Sequence, residues 1–166
     1  MSGDWTALAE GYTDFIPFNP ATTLVEWRYT EQQAPADGAY YTTCNLYTTG
    51  STSWAGNVQV YYSWTSGKVT DSWVRLYVVG GGGGYCYDTS VLQGQLADLV
   101  TVNMTSAHIV TINSTAEVDF TSCSGYQDWV NLVNSGNVTR IKMYLGCGSP
   151  ACEAVSTEYR LRNKSK

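Results

Sequence analysis

Asn57-Val58-Gln59-Val60-Tyr61-Tyr62-Ser63-Trp64 runs into Thr65-Ser66-Gly67-Lys68 and then into Val69-Thr70-Asp71-Ser72-Trp73-Val74-Arg75-Leu76-Tyr77-Val78-Val79. In the first segment Val58, Val60, Tyr62 and Trp64 alternate with Gln59, Tyr61 and Ser63, the period of a strand with two unlike faces. The Thr-Ser-Gly-Lys tetrapeptide is a tight turn. The returning segment places Val74, Leu76 and Val78 inward, opposite Trp73 and Tyr77. Together they predict a β-hairpin with an apolar inner face.

The same pattern extends in both directions. Leu24 to Tyr29 sets Val25, Trp27 and Tyr29 against Glu26 and Arg28, which predicts a half-buried strand. Ala39 to Thr48, Val100 to Phe120, 137–145 and 154–162 also read as strand. Val100-Thr-Val-Asn-Met-Thr resembles Val110-Thr-Ile-Asn-Ser-Thr, as two strands of one sheet would. Two short helices are expected. One covers Asp4 to Glu10, with Asp4 as cap and Gly11 as stop; the other covers 90–98, on the capping box Ser90-Val-Leu-Gln93. Trp129 to Val133 is a short apolar segment ended by Asn134-Ser135-Gly136. Seven or eight short strands with turn signals predict an all-β, single-domain antiparallel β-sandwich or jelly-roll-like barrel with one or two short helices. Residues 1–23 form its N-terminal segment and residues 159–166 a basic C-terminal strand or tail.

The chain has 166 residues, one domain's worth, long enough to build a core without metals or a disulfide framework. Charged residues are 14%, against about 25% in typical soluble proteins, and 15 Ser and 20 Thr fill the gap. Such a polar, weakly charged surface suits the exterior of a virion or the extracellular space. The net charge of −5 argues against general binding to nucleic acid or membrane surfaces. No apolar run reaches transmembrane length, so no membrane insertion is expected. The first residues lack the basic and apolar regions of a signal peptide.

Motifs for catalysis are weak. His108 is the single histidine, which rules out a multi-histidine metal site, and it sits mid-strand without an elbow motif. No metal or other cofactor is expected. The run Gly80 to Gly84 lacks a following Gly-Lys-Ser/Thr and reads as a connecting loop. Glu117 and Asp119 share a strand face at roughly 7 Å, within the range of glycosidase carboxylates. Val118 and Phe120 then take the buried face, which leaves both acids on the solvated one. An enzyme, such as a jelly-roll glycosidase, is therefore the last of three readings.

Of the five cysteines, Cys147 and Cys152 flank the turn-like Gly-Ser-Pro-Ala and are expected to pair. An odd count leaves at least one cysteine unpaired, and for Cys44, Cys86 and Cys123 free thiols buried in a β core are at least as good a reading as a bond. Arg160, Arg162, Lys164 and Lys166 alternate, so an extended strand would carry them as one basic stripe. That stripe offers a contact to an anionic partner, and is the one place where nucleic acid could bind; the plainer reading is a solubilising tail. The sequons at Asn103, Asn113, Asn137 and Asn163 exceed chance, roughly two, by too little to be informative.

The informative excess is aromatic: six Trp and thirteen Tyr. If the outer face of the hairpin is open, Tyr61, Trp73 and Tyr77 form an interface or binding platform. The first functional expectation is a virion structural protein (capsid, protrusion, decoration or fibre subunit) that forms a homo-oligomer or joins other structural proteins through aromatic faces. The alternative is a secreted carbohydrate-binding module or lectin, with a glycan as partner.

Overall fold

The structure, a computed structural model, describes residues 5–8, 11–29, 37–66, 68–82, 84–88, 100–102, 109–112, 116–119, 123–147 and 157–163. It is all-β, with antiparallel sheets packed against each other. The strands are β1 (Thr6–Leu8), β2 (Gly11–Tyr12), β3 (Ile16–Pro17), β4 (Thr23–Tyr29), β5 (Gly38–Thr48), β6 (Gly56–Thr65) and β7 (Lys68–Val78). They continue with β8 (Cys86–Asp88), β9 (Val100–Val102), β10 (Ile109–Ile112) and β11 (Ala116–Asp119). The helix α1 (Tyr126–Asn134) precedes β12 (Val138–Cys147) and β13 (Thr157–Asn163).

A folded-over ribbon organises these elements. In one sheet β13 lies between β1 and β4; in the other β12 lies between β2 and β5. Among these six strands the chain passes directly from the first sheet to the second at β1–β2 and β4–β5, and from the second to the first at β12–β13. One three-stranded antiparallel ribbon thus continues from sheet to sheet. Each sheet is then widened, the first by the meander β9-β10-β11 and the second by β6-β7-β8. The similar segments beginning at Val100 and Val110 are neighbours, with Val102 opposite Val110.

The inner faces follow the alternation of the sequence. Val25 and Trp27 of the first sheet meet Tyr40, Cys44, Leu46, Val58, Val60, Val74 and Leu76 of the second in one buried cluster. Burying one such aliphatic side chain contributes about 1.5–3 kcal/mol. The Trp27 indole Nε1–H donates to Thr42 Oγ1 at 2.8 Å, a buried hydrogen bond between the sheets that satisfies both groups.

The helix expected from Asp4 to Glu10 is not formed: Thr6–Leu8 is an edge strand, with Thr6 opposite Tyr159 and Leu8 opposite Thr157. A helix that short is marginal alone, whereas pairing with β13 satisfies the backbone and accompanies the burial of Leu8. The second expected helix, 90–98, lies outside the described residues. The helix that is present, α1, covers the apolar segment around Trp129. Tyr126, Trp129, Val130 and Val133 recur at helical spacing, and Trp129 and Val133 are buried. Ser135 Oγ caps Leu132 O at 2.8 Å, and Gly136 leaves the helix at φ +79°.

Cys86 and Cys123 are not free thiols. They form a disulfide that ties β8 to the lead-in of α1 across 37 residues of sequence. Cys44 is free and buried, and burial raises its thiol far above the ordinary range, which keeps it unreactive. The proposed Cys147–Cys152 pair involves Cys152, outside the described residues. The glycine run connects β7 to β8. Gly82 N–H donates to Asp128 Oδ2 of α1 at 3.0 Å, and a Cβ on Gly81 would stand 3.0 Å from the same oxygen. The loop therefore wraps a carboxylate in the first turn of the helix, where negative charge is favoured.

Replacing Cys86 and Cys123 together by Ser is expected to lower unfolding free energy by about 3–4 kcal/mol, from the loop that the bond closes. Urea unfolding of the variant, beside the unaltered protein with and without reductant, measures this directly.

Candidate functional site: an aromatic-walled trough

On β5 and β6 the odd-numbered residues point away from the core. The register sets Thr43 opposite Gln59 and Asn45 opposite Asn57. Four polar side chains therefore lie side by side on the outer face of the second sheet, where solvated strand faces usually carry charge. Their surroundings bury three of them deeply: Asn45 is 3% exposed, Asn57 7% and Thr43 8%. Gln59 Nε2–H donates to Thr43 Oγ1 at 3.0 Å. Asn45 hydrogen-bonds the Tyr47 phenol, in the sense that favours its ionised form. The net effect on Tyr47 is still upward, because burial dominates. Asn57 Oδ1 is buried and accepts no hydrogen bond.

Aromatic rings flank this polar strip. Tyr144 follows from β12, in register with both Thr43 and Tyr12. Its ring centroid is 4.7 Å from Tyr12 and 5.6 Å from Tyr41. Trp54, from the β5–β6 connection, stands on the other side, braced edge-on by Tyr77 at 5.8 Å. The strip and these walls enclose an open trough of about 330 Å³, floored by Thr43, Asn45, Asn57 and Gln59. Tyr12, Tyr41, Tyr144 and Trp54 complete its lining.

The three aromatic residues singled out from the hairpin do lie on this outer face, each partly exposed. Tyr61 stacks on Trp73 at 5.0 Å, Trp73 meets Tyr87 edge-on at 5.6 Å, and Tyr77 lies 4.4 Å from Tyr85. The Arg75 guanidinium sits 4.0 Å from the Tyr85 ring centroid and donates to Tyr87 Oη at 3.1 Å. They form an aromatic bank beside the trough: Tyr77 braces its Trp54 wall, and Tyr61 stands opposite Tyr41 in the register.

The expected basic stripe is partly spent within the fold. Arg160 is opposite Glu26 in the register, and Arg160 Nε donates to Glu26 Oε1 at 2.6 Å. Arg162 Nη1 bridges both oxygens at 3.2 and 3.3 Å. Glu26 lies on the face of β4 opposite Val25 and Trp27, yet its side chain is 6% exposed because the two arginines cover it. The Arg160 guanidinium also lies 4.2 Å from the Trp5 ring. Lys164, Lys166 and His108 lie outside the described residues, as do the side chains of Glu117 and Asp119. Among the described residues no three His, Cys, Asp or Glu gather as a metal site, and no helix is long and apolar enough to cross a membrane.

A larger recess of about 440 Å³ lies between the segment after β3 and the α1–β12 junction, lined by Phe18, Pro20, Val133 and Val138 among others. Its Asn19 carboxamide oxygen already accepts the Ala21 N–H at 2.9 Å. The trough alone combines open aromatic walls with an unsatisfied buried acceptor, among the described residues. Comparison with protein-family models, with curated proteins and with solved structures finds no match to this chain.

Replacing Arg160 and Arg162 together by Ala removes both ion pairs of Glu26 and the cover they give it. The expected cost is about 2 kcal/mol, reduced from the fully buried case because both arginines are partly in water. Chemical denaturation at neutral pH reads this, with Glu26→Gln added to the double variant recovering most of the loss.

Proposed function

We propose that this chain is a non-enzymatic recognition module that binds carbohydrate in the trough on its second sheet. One observation carries the reading: Asn57 Oδ1 is buried, unpartnered and part of the lining of an aromatic-walled recess. A buried acceptor left without a partner costs about 1–3 kcal/mol, and a bound hydroxyl supplies the missing donor. Rings at the sides and amides on the floor match the two faces of a sugar, apolar C–H surfaces and polar hydroxyls. The volume lies at the small end of ligand sites, which suits one or two sugar units. The Cys86–Cys123 disulfide supports an oxidising location, extracellular or on a virion surface.

A glycan array followed by calorimetric titration tests this. Trp54→Ala and Asn57→Ala are each expected to weaken binding about tenfold, or about 1.4 kcal/mol. Their melting temperatures should stay close to that of the unaltered protein, since Asn57 Oδ1 loses no partner. An array on which the unaltered protein retains no sugar overturns the reading.

A second reading is favoured by a different feature. Tyr85 is 42% exposed, Tyr87 51% and Val79 52%, and they continue the bank of Trp73 and Tyr77 at the β8 side of the sheet. Such a patch suits a coat, protrusion, decoration or fibre subunit of a virion that contacts another copy or another structural protein there. On this reading the unaltered protein elutes as an oligomer by size exclusion with light scattering, and Tyr85→Ser with Tyr87→Ser shifts it to monomer. A monomer at all concentrations sets this reading aside and leaves the trough untouched.

A further inference from the structure

The hydrogen-bonding direction of the trough floor goes further than its shape. Each floor amide has one carbonyl acceptor and two N–H donors. Gln59 commits one N–H to Thr43, and Asn45 is engaged with the Tyr47 phenol. Asn57 adds a carbonyl oxygen that accepts nothing. The floor atom without a partner is thus an acceptor, the Asn57 carbonyl oxygen.

A dry, unpartnered acceptor takes a ligand that arrives with an O–H donor. A carboxylate, sulfate or phosphate ester group brings acceptors only and cannot supply the proton that Asn57 Oδ1 lacks, a costly mismatch in a partly dry recess. No charged side chain is part of the trough lining. The cations nearby are engaged by rings. Lys142, opposite Asn45 in the register, has its Nζ 4.7 Å from the Phe15 ring and 5.3 Å from that of Tyr12. Arg75 is held among Tyr85, Trp73 and Tyr87. The net charge of −5 adds a general bias against anions.

We infer that the trough selects neutral, hydroxyl-donating sugars and rejects acidic ones. This rests on the carbohydrate reading above and specifies its ligand class. The test uses the unaltered protein and tetrasaccharides of glucose, galactose and mannose, each in three forms: neutral, oxidised at C6 to the uronate, and the methyl ester of that uronate. The ester keeps the added bulk of the uronate and removes its charge.

The expected result is that the best neutral form binds, its uronate binds at least tenfold more weakly, and the ester recovers most of the loss. A uronate that binds as well as its neutral parent overturns the selectivity while the carbohydrate reading stands. An ester as weak as the acid also overturns it, since bulk and not charge is then responsible. If no form of any sugar binds, the carbohydrate reading itself fails. Where the expected gap is found, Gln59→Lys supplies an independent check: a cation on the floor is expected to narrow or reverse the gap between neutral and uronate forms. An unchanged gap counts against the floor as the origin of selectivity.

Discussion

The antiparallel ladder between β5 and β12 is the constraint on which the rest of the molecule depends. Its register runs from Thr48 opposite Val138 to Tyr40 opposite Cys147. It determines both faces of the second sheet at once. Inward it aligns Cys44 and Leu46 with Ile141 and Met143 for the core; outward it aligns Thr43 and Asn45 with Tyr144 and Lys142. A slip of one residue would exchange the two sets, placing Asn45 in the core and Leu46 in water. Because β4 precedes β5 and β13 follows β12, the same pairing continues across the fold as β4 against β13. The Trp27–Thr42 hydrogen bond then locks the two sheets at one depth.

Much of this was legible in the sequence where local pattern and tertiary environment agree. The hairpin β6–β7 alternates cleanly because one face is core and the other is not, and the sequence carries that contrast without help from elsewhere. Val100 and Val110 begin similar segments, and these pair as neighbouring strands of one sheet. The first turn-length of Ala-Leu-Ala around residue 8 misleads for the opposite reason. Its helical composition is outweighed by pairing with β13, which no local window contains. At Trp129 the helical spacing is present in the residues, but a segment that short and apolar fits strand and helix equally until Ser135 and Gly136 are recognised as a helix end. The Cys86–Cys123 bond has no spacing signature at all.

The site was legible as a face and not as a recess. Outward-pointing Tyr61, Trp73 and Tyr77 follow from alternation within one hairpin. The trough requires a register between hairpins, a tryptophan from a connection and a tyrosine from near the start of the chain. Polar residues at outward positions look ordinary until neighbouring rings bury them. Asn45, Asn57 and Thr43 are exceptional because they lie on the outer face and are nevertheless almost dry. Glu26 illustrates the same blindness: an acid on the solvated side of a strand becomes a buried anion once Arg160 and Arg162 fold over it.

The parts of the trough come from distant places in the chain: Tyr12 from near its start, Thr43 and Asn57 from its first half, Tyr144 from near its end. No fragment or early folding intermediate that lacks the β5–β12 pairing can hold such a recess, because floor and wall are joined only by that long-range closure. Contacts of this kind form late and slowly, after the loop entropy between them has been overcome. The recess is thus tied to completion of folding. A chain caught part-way presents the aromatic hairpin but not the trough, so exposed rings precede the shaped surface.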